Sequence, residues 1–348
     1  MIQYATAHIK QLIVHQVGNK QAGEDLLISK ENLTINNSEL HEILLKYFLS
    51  SFSSPERYEF TASNSDYALN PLYQFSNTLF EKPKNFKEQS INFAKHLYEN
   101  TLHPNIKSGD FYVAFIENIE IDGESVDAIG LFKSENKDVF LQLKQSNGNF
   151  ELIHESGTNT EKLDKGCLIL NVNREKGFKI CIIDKSNRGA EAQYWKEQFL
   201  NLKPCADEYH YTQNFLNITK NFVTKQLAEE YEVTKADQAA YLNKSIEYFK
   251  QNEEFDSTAF AKKVFEQPDV IESFSKFKND FQAEKNIEIA EDFTISNSAV
   301  KKQARVFKSV IKLDKNFHIY VHGKRELIER GVEPDGRKFY KIYYTEEN

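Results

Sequence analysis

The sequence predicts an α+β fold: an N-terminal antiparallel sheet with covering helices, then a helical domain that ends in a small antiparallel β-sheet. Three observations support this prediction. Between residues 110 and 184, short apolar runs alternate with polar turns such as Asp122-Gly123 and Asn147-Gly148, a pattern typical of an antiparallel meander. After residue 188, aromatic and aliphatic residues recur at the period of amphipathic helices. Near the C-terminus the sequence returns to short strand-like runs.

The first hundred residues predict two strands and three helices. Residues 4–17 are rich in apolar side chains and end at Gly18-Asn19, which predicts a strand and a turn, and Leu26-Leu27-Ile28 predicts a second short strand. Helical spacing then predicts helices over 38–50 (with Ser38 as the N-cap), near 69–80 and near 85–100. We expect these helices to cover one face of the sheet.

The meander itself is predicted to have six strands. They are Phe111–Ile116, Val126–Lys133, Val139–Lys144, Phe150–His154, Cys167–Val172 and Phe178–Ile183.

The second half predicts a helical bundle followed by strands. Aromatic stripes indicate helices over 188–200, 207–229, 236–250 and 268–284, and the stripes are best explained as core packing. Strands are predicted over 306–313, 317–322 and 338–344. A chain of 348 residues exceeds the usual size of one domain, so we predict domains at 1–186 and 187–348, with a basic hairpin segment at 299–345. At the junction, Asp184 and Arg188 are predicted to pair, and Trp195 to pack the two halves together.

Charge is distributed unevenly along the chain. The formal net charge of −8 argues at first against nucleic acid as a partner. Residues 299–348, however, contain twelve Lys or Arg and seven Asp or Glu, a net charge of +5, whereas residues 1–298 carry −13. An asymmetry of this kind predicts a partner for the basic end.

The basic segment also interleaves cations with aromatic residues. Period-two alternation places His318, Tyr320 and His322 on one face of a strand. On the last strand the same alternation places two groups of side chains on opposite faces. One face has Arg337, Phe339, Lys341 and Tyr343, and the other has Lys338, Tyr340 and Tyr344. Cations contact phosphate, and exposed rings can stack on bases. An ordinary amphipathic sheet with a solvated basic face gives the same pattern, so the alternation alone does not decide between the two interpretations.

Catalytic and metal-binding motifs are absent from the sequence. There is no phosphate-binding glycine loop, no zinc-protease motif and no nucleophile elbow. His318 and His322 share a predicted face but lack further ligands, so no metal or cofactor is expected. One arrangement resembles a metal-dependent nuclease, with Asp127 on one strand and Gln142 and Lys144 on the next. Any amphipathic strand can produce these letters by chance.

The chain is expected to be intracellular and soluble. The N-terminus has no secretory signal pattern, no apolar run is long enough to span a membrane, and Cys167, Cys181 and Cys205 are too widely spaced for a metal or redox pair.

Three blocks of sequence resemble the bacterial nucleoid-associated proteins of the NdpA-like family. They are the opening strand Ile9–Lys20, the junction Ile183–Trp195 and the hairpin Val310–Arg325, and they occur in the family's order across nearly the whole chain. The resemblance implies a protein of the cytoplasmic nucleoid that binds double-stranded DNA with little sequence preference and has no known enzymatic activity. It assigns no DNA-contacting residue.

The candidate DNA contacts therefore rest on charge clustering alone. They are Lys301, Lys302, Arg305, Lys308, Lys312, Lys324, Arg325, Arg337, Lys338 and Lys341. A homodimer is expected, because symmetric pairs are the commonest assemblies. Two alternatives stay open: a nuclease that uses Asp127, Gln142 and Lys144, and an adaptor whose acidic N-terminal domain binds another DNA-processing protein.

Overall fold

A computed structural model of the chain describes residues 2–63, 66–185, 194–285, 287, 289–305, 307, 310–320 and 327–346. The chain divides into two compact units, Met1–Cys205 and Ala206–Asn348. The predicted α+β class is confirmed: the first unit is built on an antiparallel sheet, and the second is helical and ends in small antiparallel hairpins.

The first unit has ten strands and three α-helices within its described residues. In chain order they are β1 (His8–Val17), β2 (Leu26–Leu27), α1 (Ser38–Leu49), β3 (Tyr58–Phe60), α2 (Pro71–Glu81), α3 (Phe86–Glu99), β4 (Gly109–Ile121), β5 (Glu124–Ser134), β6 (Asp138–Ser146), β7 (Asn149–Gly157), β8 (Lys165–Leu170), β9 (Lys179–Asp184) and β10 (Leu202–Pro204). Asn37, rather than the predicted Ser38, caps α1, because its side chain accepts a hydrogen bond from the Leu40 amide at 2.6 Å.

Eight of these strands form one antiparallel sheet in the order β10-β3-β9-β8-β5-β4-β1-β2. Helices cover both faces of this sheet, not one face as predicted. Helices α2 and α3 pack on one face through residues such as Leu79 and Phe93. Helix α1 packs on the other face, where the Phe48 and Phe132 rings stack with centroids 4.3 Å apart. Burial on both faces explains why β4, β5, β8 and β9 read as nearly continuous apolar runs.

The meander differs from its prediction at one place. Its six strands all form, but β6 and β7 pair only with each other, and β5 pairs directly with β8 in register Leu131↔Cys167. The sheet is instead completed by β3 and β10, each three residues long and too short to show an alternating pattern.

The first compact unit extends beyond the predicted domain end at residue 186, as far as Cys205. The reason is a π-helical turn, Tyr194–Phe199, whose aromatic side chains are buried in the core of the first unit. The rings of Trp195 and Phe199 are tilted against each other with centroids 4.9 Å apart, and the indole N–H of Trp195 donates to the Gly166 carbonyl at 3.3 Å. Arg188 lies outside the described residues.

The second unit is helical and contains six short strands that pair two by two, β11 with β12, β13 with β14 and β15 with β16. In chain order its elements are α4 (Glu208–Asn221), a π-helical segment (Phe222–Gln226), α5 (Leu227–Glu230), α6 (Lys235–Gln251), β11 (Glu254–Asp256), α7 (Ser257–Phe265), α8 (Pro268–Lys285), β12 (Asp292–Thr294), α9 (Asn297–Ala304), β13 (Val310–Leu313), β14 (Phe317–Tyr320), β15 (Ile328–Val332) and β16 (Lys338–Ile342). The aromatic stripes form the core, as their spacing predicts: Phe215, Phe222 and Phe274 are fully buried neighbours. Helices α7 and α9 and strands β11, β12 and β15 were not predicted.

Candidate nucleic-acid interface

Helix α9 carries the first group of predicted contacts. Ala299 and Val300 are buried against the core of the second unit, so the helix has a fixed inner face. Lys301 and Lys302 lie in its last turn and Arg305 is its C-cap residue, and all three are exposed. Positive side chains are stabilised at this end of a helix by the partial negative charge of its last carbonyls.

Fewer of the predicted DNA-contacting residues lie in the described part of hairpin β13–β14. Ile311 is buried and pairs with Ile319, which defines the inward face. The Lys312 backbone pairs with His318, and His318 and Tyr320 are exposed on the outward face. Lys308, Lys324 and Arg325 lie outside the described residues.

Hairpin β15–β16 presents a mixed polar and aromatic surface. Directly opposed residues of an antiparallel pair share a face, so Ile328 and Tyr340 point inward while Phe339 and Lys341 point outward. The Phe339 ring lies across Gly331 on the neighbouring strand, where an added Cβ would come within 2.2 Å of the ring. Arg337, Lys338 and Lys341 are all exposed.

Both hairpins are attached to the same helix. Ala236 and Ala239, near the start of α6, form one small buried cluster with Ile311 of β13 and Ile328 of β15. Helix α9 also packs on α6. The elements that carry the described candidate cations are therefore anchored around one helix of the second unit.

The candidates differ in how strongly neighbouring carboxylates compensate them. Arg337 pairs with Asp335 at 2.7 Å, and Lys341 is 3.9 Å from Glu329. The contact between Lys341 and the Tyr343 hydroxyl raises the pKa of Lys341, so this side chain stays charged. Within the described part of the chain, Lys301, Arg305 and Lys338 make no ion pair. Their charge is available to an outside anion.

The nuclease arrangement is not formed as predicted. Asp127 lies in β5 of the eight-stranded sheet, whereas Gln142 and Lys144 lie in the separate β6–β7 hairpin, because β5 pairs with β8 and not with β6. Lys144 stands opposite Glu151 in that hairpin. Among the described residues, no group of three or more His, Cys, Asp or Glu side chains could hold a metal ion.

A buried ionic cluster in the first unit was missed by sequence reasoning. Lys133 and Lys165 are fully buried and stand opposite each other on β5 and β8. Lys133 pairs with Glu135 at 3.0 Å, and Lys165 pairs with Asp184 at 2.8 Å, so the two lysines are matched by two carboxylates. Tyr194 closes the cluster through its hydroxyl, which is 3.3 Å from both Lys133 Nζ and Glu135 Oε1.

This cluster is a structural feature and not an anion site, because its charges compensate each other internally. The only signal in the sequence was the interruption of apolar runs by Lys133 and Lys165. The alternating pattern of an amphipathic strand explains such interruptions equally well, so the sequence could not reveal that the lysines are buried.

Comparison with known proteins places the chain in a family. A family model described as nucleoid-associated protein YejK, NA37, matches residues 13–337, which is nearly the whole chain. No curated protein sequence matches the chain significantly. None of the described helices is both long and apolar enough to cross a bilayer. The chain therefore belongs to the NA37 family of nucleoid-associated proteins, which act at the nucleoid in the bacterial cytoplasm.

Proposed function

We propose that this nucleoid-associated protein binds double-stranded DNA through its C-terminal basic segment, residues 299–345, without reading base sequence. The observation that carries this proposal is the charge partition, +5 over the last fifty residues against −13 over the rest. Membership in a nucleoid-associated family supports DNA as the partner. The exposure of Lys301, Arg305 and Lys338 supports the basic segment as the contact surface.

The proposed chemistry is contact between cations and phosphates. Lysine and arginine side chains that neutralise phosphates release condensed counterions, and this release favours binding regardless of sequence. The acidic remainder of the chain repels the duplex, so contact is confined to the basic segment and the protein takes one orientation on DNA. The exposed aromatic residues Phe317, Tyr320 and Tyr344 are not required for a duplex, whose bases are already stacked.

The test is a salt-titrated binding assay with a duplex of arbitrary sequence that is too short for two basic segments. With about five phosphate contacts, the logarithm of the affinity should fall against the logarithm of salt with a slope of about −4 to −5. The triple variant Lys301→Glu, Arg305→Glu, Lys338→Glu should lose most of the affinity and flatten the slope by about three. All three side chains are exposed, so the variant should stay folded.

A matched control makes the same charge change elsewhere. Lys30, Lys84 and Lys95 are exposed lysines of the first unit, and changing all three to Glu alters the net charge equally. This control should bind DNA with an unchanged salt slope and only slightly reduced affinity. Equal losses in both triple variants, or a flat salt response of the unmodified protein, would contradict the proposal. Tighter binding to single strands than to duplex would also contradict it.

Point substitutions are preferable to removing the basic segment. A chain ending near residue 298 would lose Ala299, Val300, Ile311 and Ile328, all of which are buried in the second unit. Loss of binding in such a truncated protein would not separate missing charge from a damaged core.

A further inference from the structure

Among the described strands of the first unit, only β6 and β7 lie outside the eight-stranded sheet. They form a separate hairpin. Its strands are joined by Asn147 and Gly148, both with positive φ, as in a two-residue hairpin turn. The base of the hairpin is held by Lys137, which contacts Asp110, and by Asp138, which accepts from Asn159 at 2.6 Å.

The two faces of this hairpin differ sharply in composition. Because opposed residues share a face, the register Leu143↔Leu152 assigns every side chain to one side. One face, called here the apolar hairpin face, consists of Val139, Leu141, Leu143, Gln145, Phe150, Leu152, His154 and Ser156. The opposite face carries all the hairpin's acids and its lysine: Asp138, Lys144, Glu151 and Glu155.

The apolar hairpin face is exposed in an isolated chain. Its five Val, Leu and Phe side chains are each between 61 % and 73 % exposed. On the opposite face, the Phe140 ring lies against Gly157 and is 48 % exposed. A two-stranded hairpin is marginally stable in water unless its apolar face packs against something. Contiguous apolar patches of about 300–600 Å² are the largest on typical monomers and mark interaction sites.

We propose that the apolar hairpin face is a homodimerisation surface, on which the hairpins of two copies pack face to face about a two-fold axis. The face contains no Asp, Glu, Lys or Arg, so a second copy brings no like charges together although the whole chain is acidic. A specific pairing buries roughly 1,000 Å² or more in total, and each copy brings five exposed Val, Leu and Phe side chains to it.

The order of side-chain sizes also fits a second copy. The largest side chain, Phe150, lies next to the turn, and the small side chains Val139 and Ser156 lie at the base. In a two-fold pair with the hairpins antiparallel, the ring of Phe150 from each copy meets Val139 and Ser156 of the other. A two-fold interface must be complementary to itself, and this gradient of size meets that requirement.

The test is sedimentation velocity of the full chain without DNA, over a wide range of protein concentration. The unmodified protein should sediment as a dimer. Leu143→Glu should raise the dimer dissociation constant on the order of 100-fold, because it places two carboxylates in an apolar interface. Gln142→Glu adds the same charge one residue away on the opposite face and should leave the dimer intact. Both positions are exposed, and circular dichroism checks that both variants fold.

Cross-linking tests the antiparallel geometry. The double variant Val139→Cys, Phe150→Cys, in a Cys205→Ser background, should form intermolecular disulfides under a mild thiol oxidant. The pair Lys144→Cys, Glu155→Cys on the opposite face should stay largely unlinked. An unmodified protein that is monomeric at every concentration would overturn the proposal, and so would a dimer that Leu143→Glu leaves unchanged. Because DNA is absent, failure here is distinguishable from failure of DNA binding.

Discussion

At the scale of single residues, the buried ionic cluster is the feature of the first unit that depends most on the pairing of its charges. Lys133 and Lys165 are directly opposed on neighbouring strands, an arrangement that is destabilising for like charges unless opposite charges intervene. Glu135 and Asp184 supply those charges. Burial lowers the pKa of Lys133, and the neighbouring Glu135 acts in the opposite direction. The cluster is therefore stable only as a complete set.

Removing one partner should be costly. We expect Lys133→Met to lower the free energy of unfolding by about 3 kcal/mol, because it leaves Glu135 buried without its closest cation. The double variant Lys133→Met, Glu135→Gln should recover part of this loss, since no uncompensated charge then stays at that position. Urea unfolding followed by Trp195 fluorescence measures both, because this single Trp is buried in the first unit. A cost below about 1 kcal/mol for Lys133→Met would show that the site is solvated.

His15 predicts a pH dependence of stability. Its Nδ1 accepts from the Ser29 amide at 3.2 Å, so Nε2 carries the proton and faces Ser90 Oγ at 3.2 Å. Burial lowers the pKa of His15 from 6.5 to about 4. The folded state thus binds the proton less readily than the unfolded state, and stability is retained above pH 6.5 and lost as pH falls towards 4.

The size of this effect is set by one proton. Between pH 6.5 and 4, His15→Gln should flatten the dependence of unfolding free energy on pH by up to about 1.4 kcal/mol per pH unit. His103→Gln serves as the control, because His103 is exposed. Chemical unfolding at several pH values, followed by Trp195 fluorescence, measures the slopes. Parallel curves for the unmodified protein and His15→Gln would contradict the assignment.

At the scale of elements, periodicity predicted the longer strands and helices and failed for the shortest ones. Helices α2, α3, α6 and α8 begin and end close to their predicted positions, because each carries a complete apolar stripe. Strands β3 and β10 have three residues each, which is too few to establish a period. Helix α9 has only two buried apolar side chains, so its stripe is too short to recognise.

Pairing between strands was less predictable than the strands themselves. The alternation in β6 and β7 correctly indicated strands, but it did not show that they leave the sheet. The physical difference lies in burial: the paired stretches 128–132 of β5 and 167–170 of β8 are buried on both faces and apolar throughout, whereas β6 alternates Leu141, Gln142, Leu143 and Lys144. Alternation of this kind means one buried face at most, and in β6 even that face is exposed within one chain.

The candidate DNA contacts were predictable only as a group. The excess of positive charge in the last fifty residues is a property of the sequence. Which cations stay available is a property of the fold, because it depends on neighbours such as Asp335 beside Arg337 and Glu329 near Lys341. This is why Lys301, Arg305 and Lys338 become the better candidates once the structure is known.

At the scale of the whole molecule, the apolar hairpin face and the basic segment together predict that DNA affinity depends on duplex length. A dimer formed through the apolar hairpin face would carry two basic segments, one from each copy. Once one segment has bound a long duplex, the second binds at a high effective concentration, and the overall affinity can exceed that of a single segment by roughly 10²–10⁴. A duplex too short for two segments offers no such gain.

Leu143→Glu should therefore weaken binding to long duplexes and leave binding to short duplexes unchanged, although it alters no residue of the basic segment. If both segments engage, the salt slope on long DNA should be about −8 to −10 for the dimer and about half as steep for the variant, because half as many phosphates are neutralised. Gln142→Glu should behave as the unmodified protein on both lengths. The measurement is one set of salt titrations on two duplex lengths at a protein concentration where the unmodified chain is dimeric. Equal affinity of Leu143→Glu and the unmodified protein for long DNA would mean that DNA binding does not use the pair, even if the pair forms in solution.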